Sequence, residues 1–245
     1  MKNKILLILT CVSLNFFLIG LSNAEDQFSF NVSEIEILED GNKIIGSNRG
    51  KVSTGDGIII EANNFIFIKS ENILNASGKV LIKDTINNYN IYSENIKYEK
   101  DYEKIYSKGK TKGEINSRFI LNSSDVVFFR DKKILSSNKN TSILDNDEQT
   151  YLELKKFSFS IEDELLKGEK ILVNLEYNLP QNDKFFFENG IFNFKKRSFV
   201  AQNIKINLKK DVFGNLKNDP RLKGVSAESE NNITTVKKGV FTSCD

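Results

Sequence analysis

Ile73-Leu74-Asn75-Ala76-Ser77-Gly78-Lys79-Val80-Leu81-Ile82-Lys83-Asp84, a polar turn, and then Asn90-Ile91-Tyr92-Ser93-Glu94-Asn95-Ile96-Lys97-Tyr98 form the stretch on which the fold turns. It reads as a short strand, a glycine, a second strand, a polar reversal, and a third strand closing on an apolar-polar-apolar triplet. Upstream the same order runs Ile44-Ile45, Gly50-Lys51-Val52, Ile58-Ile59-Ile60 and Asn64-Phe65-Ile66-Phe67. Downstream it returns as Ile105-Tyr106, Gly109, Ile115, Phe119-Ile120-Leu121 and Asp125-Val126-Val127-Phe128. A fourth copy runs Ile134-Leu135, Asn140, Ile143-Leu144, Tyr151-Leu152 and Lys156-Phe157-Ser158-Phe159. The closing triplets begin at Phe65, Ile96, Val126 and Phe157, a spacing of 31, 30 and 31 residues. A shorter unit around Leu165 to Val173 and a late copy through Gly190–Phe194 and Phe199–Ile206 follow. A fixed period with fixed internal order means one supersecondary unit stacked repeatedly, none able to bury its apolar face alone.

Inside each copy the alternation has a period of two, so the unit is built of strands. In Asn95-Ile96-Lys97-Tyr98-Glu99 the faces separate, with Ile96 and Tyr98 to one side and Lys97 and Glu99 to the other. One wet and one dry face is expected of antiparallel strands packed on one side. Helical spacing is nowhere sustained. The chain is therefore predicted to be all-β, a repetitive two-sheet roll with an apolar interior between its sheets. The inward set is Phe65, Phe67, Val80, Ile82, Ile96, Tyr98, Phe119, Leu121, Val126, Phe128, Phe157, Phe159, Phe192, Phe194, Ile204 and Ile206.

The first residues read as an export signal. Lys2 and Lys4 precede a nearly unbroken apolar run from Ile5 to Leu21, and Ser22-Asn23-Ala24 offers small residues for cleavage. That run is short of the ~20 residues needed to span a bilayer, and Asn15 interrupts it. Residues 1–24 are thus expected to be removed, 25–210 to form the repeated domain, and 211–245 to hold a last strand and linker. Without Lys2 and Lys4, the 35 basic residues become 33 against 33 acidic ones, so the exported chain is near neutral. This argues against a nucleic-acid partner, which needs a basic face. The chain has no histidine, which removes Ser-His-Asp and Cys-His catalysis and imidazole metal ligands. No cofactor or metal is expected. Cys244 alone remains after cleavage, and a lone exported thiol seeks a partner elsewhere.

The repeated Gly-x-Val-x-Ile, polar turn and Asn-Ile-x-Tyr order resembles the OstA-like domain family of lipopolysaccharide transport. That domain is shared by the outer-membrane protein LptD and the periplasmic LptA. The tail is similar to the segment that joins the periplasmic part of LptD to its membrane barrel. Its residues are Asp219-Pro220-Arg221-Leu222, Ile233-Thr234 and Lys238-Gly239-Val240-Phe241-Thr242-Ser243-Cys244. The resemblance covers about Phe28 to Cys244. It implies a β-jellyroll, or β-taco, whose apolar groove receives the acyl chains of lipopolysaccharide, with the inward set as its lining. It also implies edge-strand pairing with an LptA-like bridge protein, and an outer-membrane β-barrel with its plug lipoprotein as further partners. The site of action would be the periplasm, at the outer membrane. In that family the chain would continue into transmembrane strands, so this sequence is expected to be an N-terminal fragment. The partner of Cys244 would then lie in the missing part.

Other readings compete. A free-standing LptA-like bridge would not need the tail. A carboxylate-using, polysaccharide-active β-solenoid would place an acidic cleft beside aromatic platforms, whereas here acids are scattered among lysines. An adhesin-like structural repeat would have a sealed core, and on composition alone an ordinary closed sandwich explains the inward set. Asp145-Asn146-Asp147-Glu148 lacks the glycine and distal glutamate of a calcium loop and reads as a turn. Glu34 with Glu36, and Asp163 with Glu164, could be posed as acid/base pairs but carry no pocket signal. Lys195-Lys196-Arg197 reads as a hairpin turn that could also meet lipid phosphates.

Overall fold

The computed structural model describes residues 28–231 and 233–243, so the expected signal segment and Cys244 lie outside the described residues. The protein is all-β. Its strands are β1 (Ser29–Leu38), β2 (Lys43–Ser53), β3 (Ile58–Ala62), β4 (Asn64–Ile68), β5 (Ile73–Asp84), β6 (Tyr89–Glu99), β7 (Lys104–Ile115), β8 (Phe119–Ser124), β9 (Val127–Phe129) and β10 (Ile134–Ser137). They continue as β11 (Thr141–Asp145), β12 (Thr150–Leu154), β13 (Lys156–Ser160), β14 (Leu165–Asn174), β15 (Lys184–Asn193), β16 (Ser198–Asn207), β17 (Arg221–Glu230), β18 (Ile233–Lys237) and β19 (Val240–Thr242). The helical pieces among the described residues are single 3-10 turns.

Every pairing is antiparallel, and the strands follow one another as a meander. Nine of the strands are ten to twelve residues long and run across the middle line of the sheet. Others are divided there, as β3 and β4 are at Asn63, β8 and β9 at Asp125-Val126, and β12 and β13 at Lys155. Both pieces of a divided strand still pair with the same long neighbours: β3 and β4 each lie between β2 and β5. The sheet is thus creased lengthwise into two halves. Around the divided strands the pairing closes into a barrel-like ring through β7, β8, β11, β12, β14, β13, β10 and β9.

Gly78 and Gly109, which the sequence pattern placed between two strands, sit at this crease instead. Gly78 has φ +78 and Gly109 φ +81, and Asp125, Lys170 and Asn203 are also left-handed there. A Cβ on Gly78 would come within 2.7–3.0 Å of the Asn63 side chain, so the crossing needs glycine for space as well as for φ. Bending a strand frees ladder groups that must find other partners. Hydroxyls supply them: Ser93 donates to the Asn95 carbonyl at 3.1 Å, Thr111 to Gly109 at 3.1 Å, Thr141 to Lys139 at 2.9 Å and Ser137 to Ser124 at 2.6 Å.

Register places the apolar residues in continuous rows. Across one half runs Ile44–Phe67–Leu74–Tyr98–Ile105–Phe128–Leu135–Phe159–Leu166–Phe192–Phe199, each residue opposite the next. Across the other runs Val52–Ile60–Ile82–Ile91–Gly113–Leu121–Ile143–Leu152–Val173–Phe185–Ile206–Leu222. A slip of one residue in any pair would turn that strand's set out to water. At roughly 1.5–3 kcal/mol for each fully buried aliphatic or aromatic side chain, these rows set the register.

The halves face each other. Rings meet across the interior as Phe28–Phe67 at 5.0 Å, Tyr89–Phe128 at 5.1 Å and Phe119–Phe159 at 5.3 Å between centroids. At the side opposite the crease, turns stack into two lips. Along one lip the turn residues Lys69–Asn72, Lys100–Glu103, Arg130–Lys133 and Ile161–Glu164 recur, each ending in a left-handed residue. Each turn hooks to its neighbour: the Lys69 N–H donates to Asn42 O, Lys100 to Asn72, Arg130 to Glu103 and Ile161 to Lys133. The outward faces carry the expected lysine–glutamate pairs, such as Lys97–Glu99 at 2.7 Å and Lys156–Glu169 at 2.7 Å, each worth about 0–1 kcal/mol. No break in pairing occurs at residue 210: β17 pairs with β16, and β18 and β19 with β17, so the described tail strands continue the sheet.

Candidate functional site

The interior between the halves is where the sequence-derived residues converge. Phe67, Tyr98, Phe128, Phe159 and Phe192 lie in one row, while Ile82, Leu121 and Ile206 lie in the facing one. Phe65, Val80, Ile96, Phe119, Val126, Phe157 and Ile204 are buried in the same cluster, and Phe194 packs against it. All sixteen therefore share one seam.

The seam is filled by its own side chains. Ring centroids 5.0–5.6 Å apart leave no gap for a hydrocarbon chain at those points. Two depressions on the described surface lie at the crease instead, and their rims carry Lys156, Lys167, Glu169 and Gln202, or Lys79, Glu94, Lys110 and Asn140; a third, beside the mouth, is lined by Phe119 together with Asn88, Glu114 and Asn146. An apolar guest in the seam would have to part the halves.

The lips are closed by a second set of residues. Arg118, in the turn after β7, donates from Nε to Asp145 Oδ1 at 2.9 Å and from Nη2 to Oδ2 at 2.7 Å. Its Nη1 reaches across the mouth to Glu164 at 2.9 Å. The guanidinium lies 4.6 Å from the Phe119 ring and 6.0 Å from that of Phe194, one ring from each lip, and so roofs the seam. Hydrogen bonding to Asp145 pushes the Arg118 pKa up, so it stays cationic.

Arg130 builds a second roof. It lies over the Tyr98 ring at 5.7 Å, donates to the Tyr98 hydroxyl and pairs with Glu103 of its own lip. Across the mouth it meets Asp56 at 3.0 Å, and Lys100 meets the same carboxylate oxygen at 3.1 Å. Burial pushes the phenols of Tyr98 and Tyr89 well up, helped by Glu103 and Asp84 respectively, so both remain neutral hydroxyls beneath this roof. A third cross-mouth pair joins Arg197 to Glu148 at 2.5 Å.

No protein-family model matches this sequence, and no curated protein does.

Three features of the sequence find their place here. Asp145 accepts the N–H groups of Asp147 and Glu148 at 3.1 and 3.4 Å, making a turn, and binds arginine. Glu164 is held by Arg118, which also binds Asp145, and Glu34 accepts from the Ser47 hydroxyl at 3.2 Å, so each carboxylate is engaged by a donor. Lys195-Lys196-Arg197 forms the turn between β15 and β16, with Lys195 donating to the Glu162 carbonyl. The arginine roofs were not foreseen. One signal was present: Arg49, Arg118, Arg130, Arg197 and Arg221 are the arginines of a lysine-rich chain, and each forms an ion pair. Arginine is the residue suited to bidentate and ring-stacked partners.

Burial works to raise the Asp56 pKa, but the Thr54 hydroxyl, Arg130 and Lys100 outweigh it and hold the carboxyl down at about 2. An unfolded aspartate titrates near ~3.9. A depressed folded pKa adds stability that is full above the unfolded value and is lost as pH falls toward the folded one. The expected result is a fall in denaturation midpoint between about pH 4 and pH 2 that is larger in the wild type than in Asp56→Asn. Because Asp56 is one-third exposed, the difference is set at about 1 kcal/mol. Equal acid profiles for the two proteins would remove the pairing from the account of stability.

At the ends of the seam apolar surface is uncovered. On edge strand β1, Ile35 and Ile37 lie opposite Gly46 and Ile44, on the inward face, yet are 55% and 62% exposed. No helix among the described residues is long and apolar enough to cross a membrane.

Proposed function

We propose that this chain is an exported lipid-transfer module of lipopolysaccharide assembly, built as an OstA-like β-jellyroll of the LptD N-terminal type. The acyl chains of lipopolysaccharide are accommodated between the two halves and pass along the seam, with no covalent chemistry. The observation that carries this reading is the unbroken pair of apolar rows running the length of a creased sheet and left uncovered at β1. Each methylene moved from water into such an interior contributes about 0.8 kcal/mol, enough for a multi-chain lipid to offset the parting of packed side chains. The exposed edge of β1 supports pairing with an LptA-like bridge strand, in which main-chain hydrogen bonds join the two sheets and extend the seam. An outer-membrane barrel and its plug lipoprotein would be the receiving partners.

A photoreactive phenylalanine analogue at Phe128 or Tyr98, irradiated in cells that make lipopolysaccharide, is expected to give a lipopolysaccharide adduct. The same analogue at outward-facing Lys97 should give none. Failure of every interior position to label, with the protein folded and exported, would refute lipid transfer and favour a purely structural repeat.

A further inference from the structure

We propose that the three charge clusters across the mouth, centred on Asp56, Glu148 and Glu164, are latches, and that the crease is the hinge on which the halves part when they open. The inference deepens the lipid-transfer reading by naming the element that governs access to the seam. Four observations carry it. Each lip is a continuous band, because successive turns hydrogen-bond to one another along it. The crease is the line along which the ladder is interrupted, since strands divide there and hydroxyls take the place of some backbone partners. Across the mouth, polar attachment comes from Asp56 to Lys100 and Arg130, Glu164 to Arg118, and Glu148 to Arg197, at 2.5–3.1 Å. Finally, Arg130 Nε is buried without a hydrogen-bond partner, which marks that clamp as less than fully satisfied.

Ion pairs suit this duty because their strength falls when water or a competing ion reaches them. An apolar interior alone has no such release. The carboxylate members are the ones to alter: removing Arg118 would strand Asp145, whereas Glu164→Gln leaves the Arg118–Asp145 pair in place.

The test uses the exported chain in a Cys244→Ser background with Nile red, a neutral probe of apolar interiors. Asp56→Asn/Glu148→Gln/Glu164→Gln is expected to raise dye uptake at least about threefold at low salt, with an unchanged strand spectrum. In the same comparison, raising salt from about 50 mM to about 1 M should open the wild type toward the level of the triple variant. Should the triple variant not fold, Glu148→Cys/Arg197→Cys closed by a short bifunctional thiol reagent provides the converse. Closure should cut uptake at least about threefold relative to the uncrosslinked protein. Uptake indifferent to both opening and closure overturns the latch. Purified lipopolysaccharide separates the two claims. If all forms bind it equally, transfer stands and the latch falls; if dye uptake follows the latch but lipopolysaccharide binds none of them, the latch stands and transfer falls.

Discussion

Arg118→Met is expected to lower the unfolding free energy by about 3–5 kcal/mol, the cost of leaving a buried charge without its partner. The stranded group is Asp145, whose side chain is 0% exposed and takes two hydrogen bonds from the guanidinium at 2.7 and 2.9 Å. A surface pair would not show this. Lys156 with Glu169, both about half exposed, should change stability by less than about 1 kcal/mol when either is removed. The reason is that Asp145 has no water to fall back on, and its other contacts, the N–H groups of Asp147 and Glu148, already share one oxygen. A second substitution isolates the charge. Asp145→Asn in the Arg118→Met background keeps an acceptor for those N–H groups while deleting the orphaned charge, so it should recover at least about half of the loss. Urea denaturation followed by circular dichroism reads both. If Arg118→Met costs no more than the Lys156 control, the buried pair is not the anchor described above.

Phe119→Ala carries a comparable cost, about 3–5 kcal/mol, for a different reason. Phe119 is fully buried and its ring meets Phe159 at 5.3 Å and Phe194 at 5.0 Å, so its loss opens a void where the two halves and the Arg118 roof converge. Phe194→Ala should cost distinctly less, because that ring is only partly buried. In a stacked-repeat protein, stability is a sum of neighbouring interfaces. The Phe119 defect should therefore first loosen the segment from β7 to β15, while β1 to β5 keep their protection against hydrogen exchange. A uniform loss of protection over the chain would contradict this local coupling.

Much of the architecture was legible because strands announce themselves through a period of two and repeats through a period near thirty. The placement of Ile96 and Tyr98 on one side and Lys97 and Glu99 on the other followed from alternation alone, and the rows confirm it. What alternation could not say is that a strand such as β5 runs through its glycine and folds over rather than stopping there. A creased strand and two consecutive strands carry the same local pattern. They differ only in whether both pieces pair with the same neighbours, a long-range fact.

The sequence by itself determined the strand content, the period, the inward-facing residues and the absence of imidazole chemistry, since these depend on residue type and local spacing. Only the tertiary structure decided that the inward rows meet ring to ring, and that Arg118 and Arg130 reach across to Glu164 and Asp56, 46 and 74 residues away in the chain. Ion pairs of that reach leave no periodic trace, because a lone charged residue in a turn looks the same whether it faces water or a carboxylate on the opposite lip.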